Sequence, residues 1–366
     1  MGRKILSLCF VILMVGVVVF SIIRAVSFPE SERKIKKAEP TGIALEVRDG
    51  FASSVKDNLG EAESSLGLAY LTGMKDGLDK NTVEMLRAVG LSHIVVASGT
   101  HLSIIVEFFR KRFGKISRFA GLLGGALAIF AFGQIVGWTA SITRAAIVAG
   151  LTMLGSYYGR KLGAMRVILF AMAVTLLINP LYLFDLGWQL SFTSFIGIML
   201  LAPIMKEFFF GKEEKLGFVA ELVLTSISAM LMCAPLLLYY FGSISIIAIV
   251  ANVLILPTIS IAMGLTLATG LAGFLPAFLL FDWVRFVITK LATLVLDYHL
   301  FIIEFLSKQT SLIITVPKNQ PLFFLLYIPF LAPFVVFYFR KEFRRYKKKL
   351  QVRSDLEKFL PYSIQN

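Results

Sequence analysis

The chain has 366 residues and a formal net charge of +14; 57% of its residues are hydrophobic and only 16% are charged. A soluble domain carries about 25% charged residues, so there is too little charge to coat a water-facing surface, and a soluble enzyme, a disordered chain and a coiled coil are excluded. About 20 apolar residues cross a bilayer core as a helix, and the sequence holds many such runs; they are continuous rather than alternating, which excludes a β-barrel. The expected fold class is all-α, a polytopic helical membrane protein with about ten transmembrane helices, some of them broken or interfacial.

Ile5 to Ile23 carries no charge and follows Arg3 and Lys4. A cleavable signal peptide has a shorter apolar core and a small-residue cleavage site, so residues 1–23 read as an uncleaved N-terminal anchor whose basic start lies in the cytoplasm. Residues 24–65 are polar and mixed in charge, a short segment expected to face outward. From Leu66 to Gly90 the pattern is amphipathic rather than spanning. Leu91 to Phe109 is the second apolar run, ending at Arg110, Lys111, Arg112, Lys115 and Arg118. Further runs cover about 119–137, 141–158, 164–178, 186–205, 217–241, 242–273, 275–306 and 322–339. Those at 242–273 and 275–306 contain Pro257 and Pro276 and read as broken helices or pairs of short segments. Asp282, Arg285 and Lys290 make the second of them partly interfacial. Residues 66–340 thus form one transmembrane domain, and 341–366 a basic cytoplasmic tail. Ten crossings, within an expected nine to eleven, put both termini and the basic loops at 110–118 and 160–166 inside. The cations of 24–37 then fall outside, against the rule, as long translocated segments allow. No internal repeat marks an inverted-repeat transporter.

Ionisable groups in hydrocarbon cost roughly 2.5–3.5 kcal/mol on insertion scales, so polar residues within apolar runs carry the information. His93, Ser98, Gly99 and His101 fall in the second run. As a helix, this stretch puts Ser98 and His101 on one face. Interhelical hydrogen bonding with a small-residue notch is the plain alternative. Ser141 and Arg144 open the 141–158 run, and the alternative for Arg144 is snorkelling to the interface. Asp185, Gln189 and Ser191 open the 186–205 run. Asp185 also suits a simple helix cap. Asn252 precedes Pro257 and could satisfy carbonyls freed by the proline. Under the charge rule all four groups lie near outer ends of helices, which predicts an outward-opening polar vestibule.

A serine hydrolase with Ser98 as nucleophile, His101 as base and Asp185 as orienter is conceivable, but neighbours three apart on one helix rarely give an attacking geometry. His93, His101 and Asp185 make a weak metal set, because the usual helical pair is i, i+4. Cys9 and Cys233 form no disulfide framework. No phosphate-binding loop of the Gly-x-x-x-x-Gly-Lys type occurs. No catalytic residue, cofactor or metal is therefore expected, and what remains is passage or binding of something polar.

The four clusters resemble the ComEC family of inner-membrane channels for DNA uptake in bacterial competence. Gly90-Leu91-Ser92-His93-Ile94-Val95-Val96-Ala97-Ser98-Gly99-Thr100-His101 is similar to the family's Gly-Leu-x-His-Leu-Leu-Ala-x-Ser-Gly-Leu-His. Val96 and Thr100 depart from that pattern. Leu71-Thr72-Gly73-Met74-Lys75-Asp76-Gly77-Leu78 looks like its Leu-x-Gly-x-x-x-Gly-Leu. Ser141-Ile142-Thr143-Arg144-Ala145-Ala146 matches Ser-x-x-Arg-Ala-Ala. Asp185-Leu186-Gly187-Trp188-Gln189-Leu190-Ser191-Phe192 matches Asp-x-Gly-Phe-Gln-Leu-Ser-Phe with Trp188 for Phe, and Asn252 to Pro257 matches Asn-x-x-x-x-Pro. All five occur in family order.

The resemblance implies a channel for single-stranded DNA lined by His93, Ser98, Gly99, His101, Ser141, Arg144, Asp185, Gln189, Ser191 and Asn252. Its implied partners are membrane lipids, a DNA receptor, a separate nuclease, and a cytoplasmic helicase or strand-binding protein. Relatives carry an outward OB-like domain and often a metallo-β-lactamase-like nuclease domain; residues 24–65 are too short for the first, and no His-x-His-x-Asp-His cluster follows residue 322. The expectation is a bare competence domain that does not itself cut DNA. A transporter of another polar or anionic substrate, such as an envelope polymer or lipid intermediate, is the rival reading.

Overall fold

The computed structural model describes residues 2–29, 42–74, 77–95, 99–160, 162–211, 215–274, 282–309, 313–318, 320, 325, 331–333, 336–337 and 340. The expected run at 322–339 lies mostly outside these, and Ser98, Pro276 and the 341–366 tail lie wholly outside. The elements are helices α1 (Gly2–Val26), α2 (Ile43–Asn58), α3 (Glu61–Thr72), α4 (Lys80–Ala88), α5 (Gly99–Gly114), α6 (Arg118–Val136), α7 (Ala140–Tyr157) and α8 (Ala164–Ile178). A 3-10 turn (Pro180–Phe184) leads to α9 (Leu186–Ile196), a π-helical turn (Gly197–Leu201), α10 (Ala202–Phe210) and α11 (Phe218–Phe241). Then come strand β1 (Ser243–Ser245), α12 (Ala248–Phe274), α13 (Asp282–Ser307) and strand β2 (Ile313–Thr315), which pairs with β1.

Among the described residues five segments are long and apolar enough to span a bilayer: Arg118–Val136, Leu186–Phe210, Phe218–Phe241, Ala248–Gly273 and Asp282–Ser307. Ile12–Val26 and Met165–Ile178 are shorter apolar helices. The chain is an all-α, multi-pass membrane protein, as its composition requires.

Local chemistry sets the helix ends. Asp79 caps α4 by accepting from the Thr82 amide, and Ser117 caps α6 by accepting from Ala120 at 2.9 Å. Thr139 does the same for α7, accepting from Ile142 at 3.3 Å. Such oxygens satisfy amides that have no partner inside the first turn. At the other end of α4, the Gly90 amide donates to Arg87 O and the Leu91 amide to Leu86 O. Gly90 itself stands at φ +75°. This is a Schellman ending, which needs a left-handed residue just past the helix.

That ending corrects one expectation. Leu91 does not begin a spanning helix; residues 91–95 are turns and α5 starts only at Gly99. His93 therefore stands in the loop before α5 and shares no helix face with His101. A second correction concerns the 242–273 run: α12 passes unbroken through Pro257. Interior proline is tolerated in spanning helices, where neighbours satisfy the freed carbonyl. For the 275–306 run, α13 is one helix from Asp282 onward, and Pro276 lies outside the described residues.

The chain forms two compact units, residues 1–195 with 244–314, and residues 196–243 with 315–366. In the first unit, α2, α3, α4 and the 89–95 loop pack on α12 and α13. Their core includes Val55, Leu66, Tyr70, Leu86, Leu91, Ile255, Leu296 and Ile303. The polar 24–65 segment thus contributes α2 to the same core as the rest. A second cluster joins α5, α6 and α7 through Leu102, Val106, Phe132, Ile142, Ala145 and Met153. Gly121 and Gly124 of α6 let it close on α5, facing Gly114 and Phe113, the small-residue packing common between membrane helices. In the second unit α10, α11 and the π turn pack around Leu201, Met205 and Leu224.

Candidate functional site

Three of the four polar groups belong to elements whose side chains are described, and two of them meet. Ser141 at the first turn of α7 and Ser191 on α9 bring their hydroxyl oxygens to 3.3 Å. One turn further along α7, the Arg144 guanidinium lies over the rings of Phe192 and Phe195 of α9, at 5.8 and 5.3 Å from their centroids. Its Nε is buried and has no hydrogen-bond partner among the described residues. Arg144 thus turns onto a neighbouring helix, and among the described residues aromatic faces rather than a carboxylate surround the charge.

The other residues of α9 are held by the turn that precedes it. Asp185 Oδ1 accepts from the Trp188 amide at 2.7 Å, which is the capping role. Gln189 Nε2 donates to Leu183 O at 2.8 Å, while its Oε1 is buried without a partner among the described residues. Trp188 anchors α9 to α8 through a buried indole bond to Thr175 Oγ1 at 3.1 Å. The short helix start is therefore fixed by three contacts of distinct kinds, and Gln189 keeps one acceptor uncommitted.

The loop after α4 and the start of α12 form a second group. The Gly90 backbone lies against Ala248 and Ser245. His93 Nδ1 is 3.1 Å from Gly90 O, and Asn252 stands one turn after Ala248, half-buried. Gly99 and His101 belong to the first turn of α5, which packs against α6 and α7. Ser98 lies outside the described residues. No group of three or more metal-binding side chains occurs among the described residues.

Sequence reasoning missed Phe192 and Phe195 as the surroundings of Arg144. Their three-residue spacing, one turn past Gln189 and Ser191, carries that signal in retrospect. It also missed the close approach at Gly90, although a glycine directly after an amphipathic helix is a readable stop.

Five helical segments long and apolar enough to span a bilayer, among the described residues, define a multi-pass membrane protein. The family model described as Competence protein matches residues 70–341, and the chain belongs to that family. All five motifs fall inside this span. The chain is similar to ComE operon protein 3 of Bacillus subtilis (strain 168), 27% identical over 264 residues, covering 68% of this chain and 33% of that protein. The chain therefore matches about a third of the length of this curated relative. No solved structure matches.

Proposed function

We propose that this protein conducts single-stranded DNA inward across the bacterial inner membrane during competence, with both termini in the cytoplasm. Membership of the competence family supports the class of process. The observation that carries the chemistry is Arg144, a half-buried cation set on two aromatic rings, whose buried Nε has no hydrogen-bond partner among the described residues. An anion passing α7 supplies what the site lacks, and a phosphodiester presents the oxygens a guanidinium binds best. Ser141, Ser191 and the open oxygen of Gln189 are neutral hydrogen-bonding groups beside it. They suit a polymer that must keep moving.

In this reading Asn252, His93, Gly99 and His101 line the approach, and Ser98 belongs with them. Asp185 acts by fixing the start of α9. The work of translocation falls to a cytoplasmic helicase or strand-binding partner, and delivery of a single strand to a receptor and a nuclease.

The test is uptake of labelled DNA by cells carrying Arg144→Ala, Arg144→Lys or wild-type protein at equal membrane levels. Loss of a charge-assisted contact of about 1.5–3 kcal/mol corresponds to about a 10- to 100-fold fall in uptake for Arg144→Ala. Lysine keeps the charge but not the planar stack and is expected to restore only part. Normal uptake with Arg144→Ala overturns the proposal.

A further inference from the structure

His299 is one of only three histidines in the chain, and the DNA route makes no use of it. It is fully buried on α13, a helix long and apolar enough to span a bilayer. Its Nε2 lies 2.7 Å from Thr258 Oγ1 on α12. The Thr258 hydroxyl has an acceptor of its own, Ile255 O at 3.1 Å. A hydroxyl has one hydrogen to give. With that hydrogen on Ile255, the imidazole donates from Nε2 and Thr258 accepts. Nδ1 is then the bare acceptor of a neutral ring. It is buried and has no partner among the described residues.

Tyr70 of α3 is fully buried as well, and its hydroxyl also has no partner among the described residues. The two rings meet edge to face with centroids 5.6 Å apart. An unmatched donor and an unmatched acceptor thus occupy adjoining rings inside one core. Buried polar atoms are almost always satisfied, because an unmatched one keeps the full cost of leaving water. The species that satisfies both must accept from a hydroxyl, donate to a ring nitrogen and fit among close-packed side chains. Water meets the first two conditions and is the smallest species that does, and buried water is a regular part of protein interiors.

We propose that Tyr70, His299 and Thr258 form a buried hydration site, in which one water accepts from the Tyr70 hydroxyl and donates to His299 Nδ1. The resulting chain runs from Tyr70 through water, His299 and Thr258 to the Ile255 carbonyl, and ties α3 and α13 to α12. Tyr298 adds a second tie between α13 and α12, its hydroxyl donating to Leu254 O at 3.1 Å. Thr258 lies six residues beyond Asn252 on α12, so the water and its ligands act as positioning groups for the helix that bears Asn252.

The experiment uses the full chain, labelled with nitrogen-15 at histidine, in lipid nanodiscs at neutral pH. His299→Gln removes one ring signal and thereby assigns it. The expected spectrum shows a neutral ring protonated at Nε2, with magnetisation transfer from water to Nδ1. Tyr70→Phe is expected to move the Nδ1 resonance and abolish that transfer. Thr258→Val, which leaves the proposed water ligands in place, is expected to keep the transfer while shifting the Nε2–H signal, so the site is testable even where Tyr70→Phe does not fold. A ring protonated at Nδ1, a resonance unmoved by Tyr70→Phe, or wild-type protein without water transfer overturns the proposal. None of these readouts involves DNA, so they stand or fall apart from the transport reading.

Discussion

Gly90 offers a quantitative test of how the loop carrying His93 is fixed. Its φ of +75° lies in the left-handed region, where a residue with a Cβ is disfavoured by roughly 1–2 kcal/mol. A Cβ there would also stand 2.6 Å from Ala248 Cβ, with Ala248 Cα at 3.6 Å and Ser245 Cβ at 3.7 Å. Overpacking of this kind costs about 1–3 kcal/mol. Gly90→Ala should therefore destabilise the protein by about 2–5 kcal/mol, the sum of the two terms. The terms separate in a double-mutant cycle with Ala248→Gly. Removing the Ala248 Cβ leaves the 3.6 Å contact, an ordinary one, so the steric part disappears while the backbone part stays. In the Ala248→Gly background Gly90→Ala should cost only about 1–2 kcal/mol. Unfolding of the purified protein in detergent micelles measures all four corners. An equal cost in both backgrounds would refute the close approach of the loop to α12. A cost below about 0.5 kcal/mol, the range of neutral substitutions, would refute the strained ending of α4.

Three further outcomes follow from single contacts. If Asp185 acts as a cap, Asp185→Asn should keep both stability and DNA uptake, while Asp185→Ala should lose about 1 kcal/mol of stability; an Asp185→Asn protein that folds normally but takes up no DNA would show that the charge itself is used. Trp188→Phe removes the indole bond to Thr175 and should lower stability by about 1–2 kcal/mol, as read by detergent unfolding, with uptake retained; an unchanged midpoint would mean that α8 and α9 are not joined there. A Cβ at Gly67 would stand 2.7 Å from Thr266 Oγ1, so Gly67→Ala should cost about 1–3 kcal/mol and be largely rescued by Thr266→Ala; failure of the rescue would remove the α3–α12 contact.

Helix boundaries were legible where an apolar run ended in a strong local stop. The expected runs at 119–137, 141–158 and 164–178 correspond to α6, α7 and α8 within one residue at each end, because Ser117, Thr139 and the glycines near them punctuate the chain. The 91–109 run misled because hydropathy does not distinguish an apolar turn from an apolar helix. Gly90 commits the chain to a left-handed ending, and helix resumes only at Gly99. Pro257 misled in the opposite sense, since an apolar helix continues past a proline when its neighbours compensate. The candidate residues were legible as types that hydrocarbon disfavours. Their partners were not. Ser141 and Ser191 are 50 residues apart in sequence, and nothing local in either segment specifies that they meet. The same holds for Tyr70, Thr258 and His299, which lie on three helices and follow no motif.

The weight of the transport reading rests on how differently the chain treats its cations. At the end of α5, Arg110 donates twice to Glu107, at 2.8 and 2.7 Å, and Lys111 lies 3.3 Å from the same carboxylate. Those groups are substantially exposed, and an exposed pair is worth only about 0–1 kcal/mol. Arg144 is the reverse case. At the centre of a spanning helix a cation costs roughly 2.5–3.5 kcal/mol, an upper bound for Arg144 near the start of α7, and its contacts with Phe192 and Phe195 return about 0.5–2 kcal/mol. A carboxylate on α9 would offset the remainder, yet the ion pairs formed among the described residues do not include Arg144. A fixed carboxylate would also repel the anion that the site is proposed to receive. In the proposed transport, one incompletely compensated guanidinium beside neutral hydroxyls would attract a phosphate and release it to the next. A cluster of arginines would hold the strand, and a paired one would ignore it.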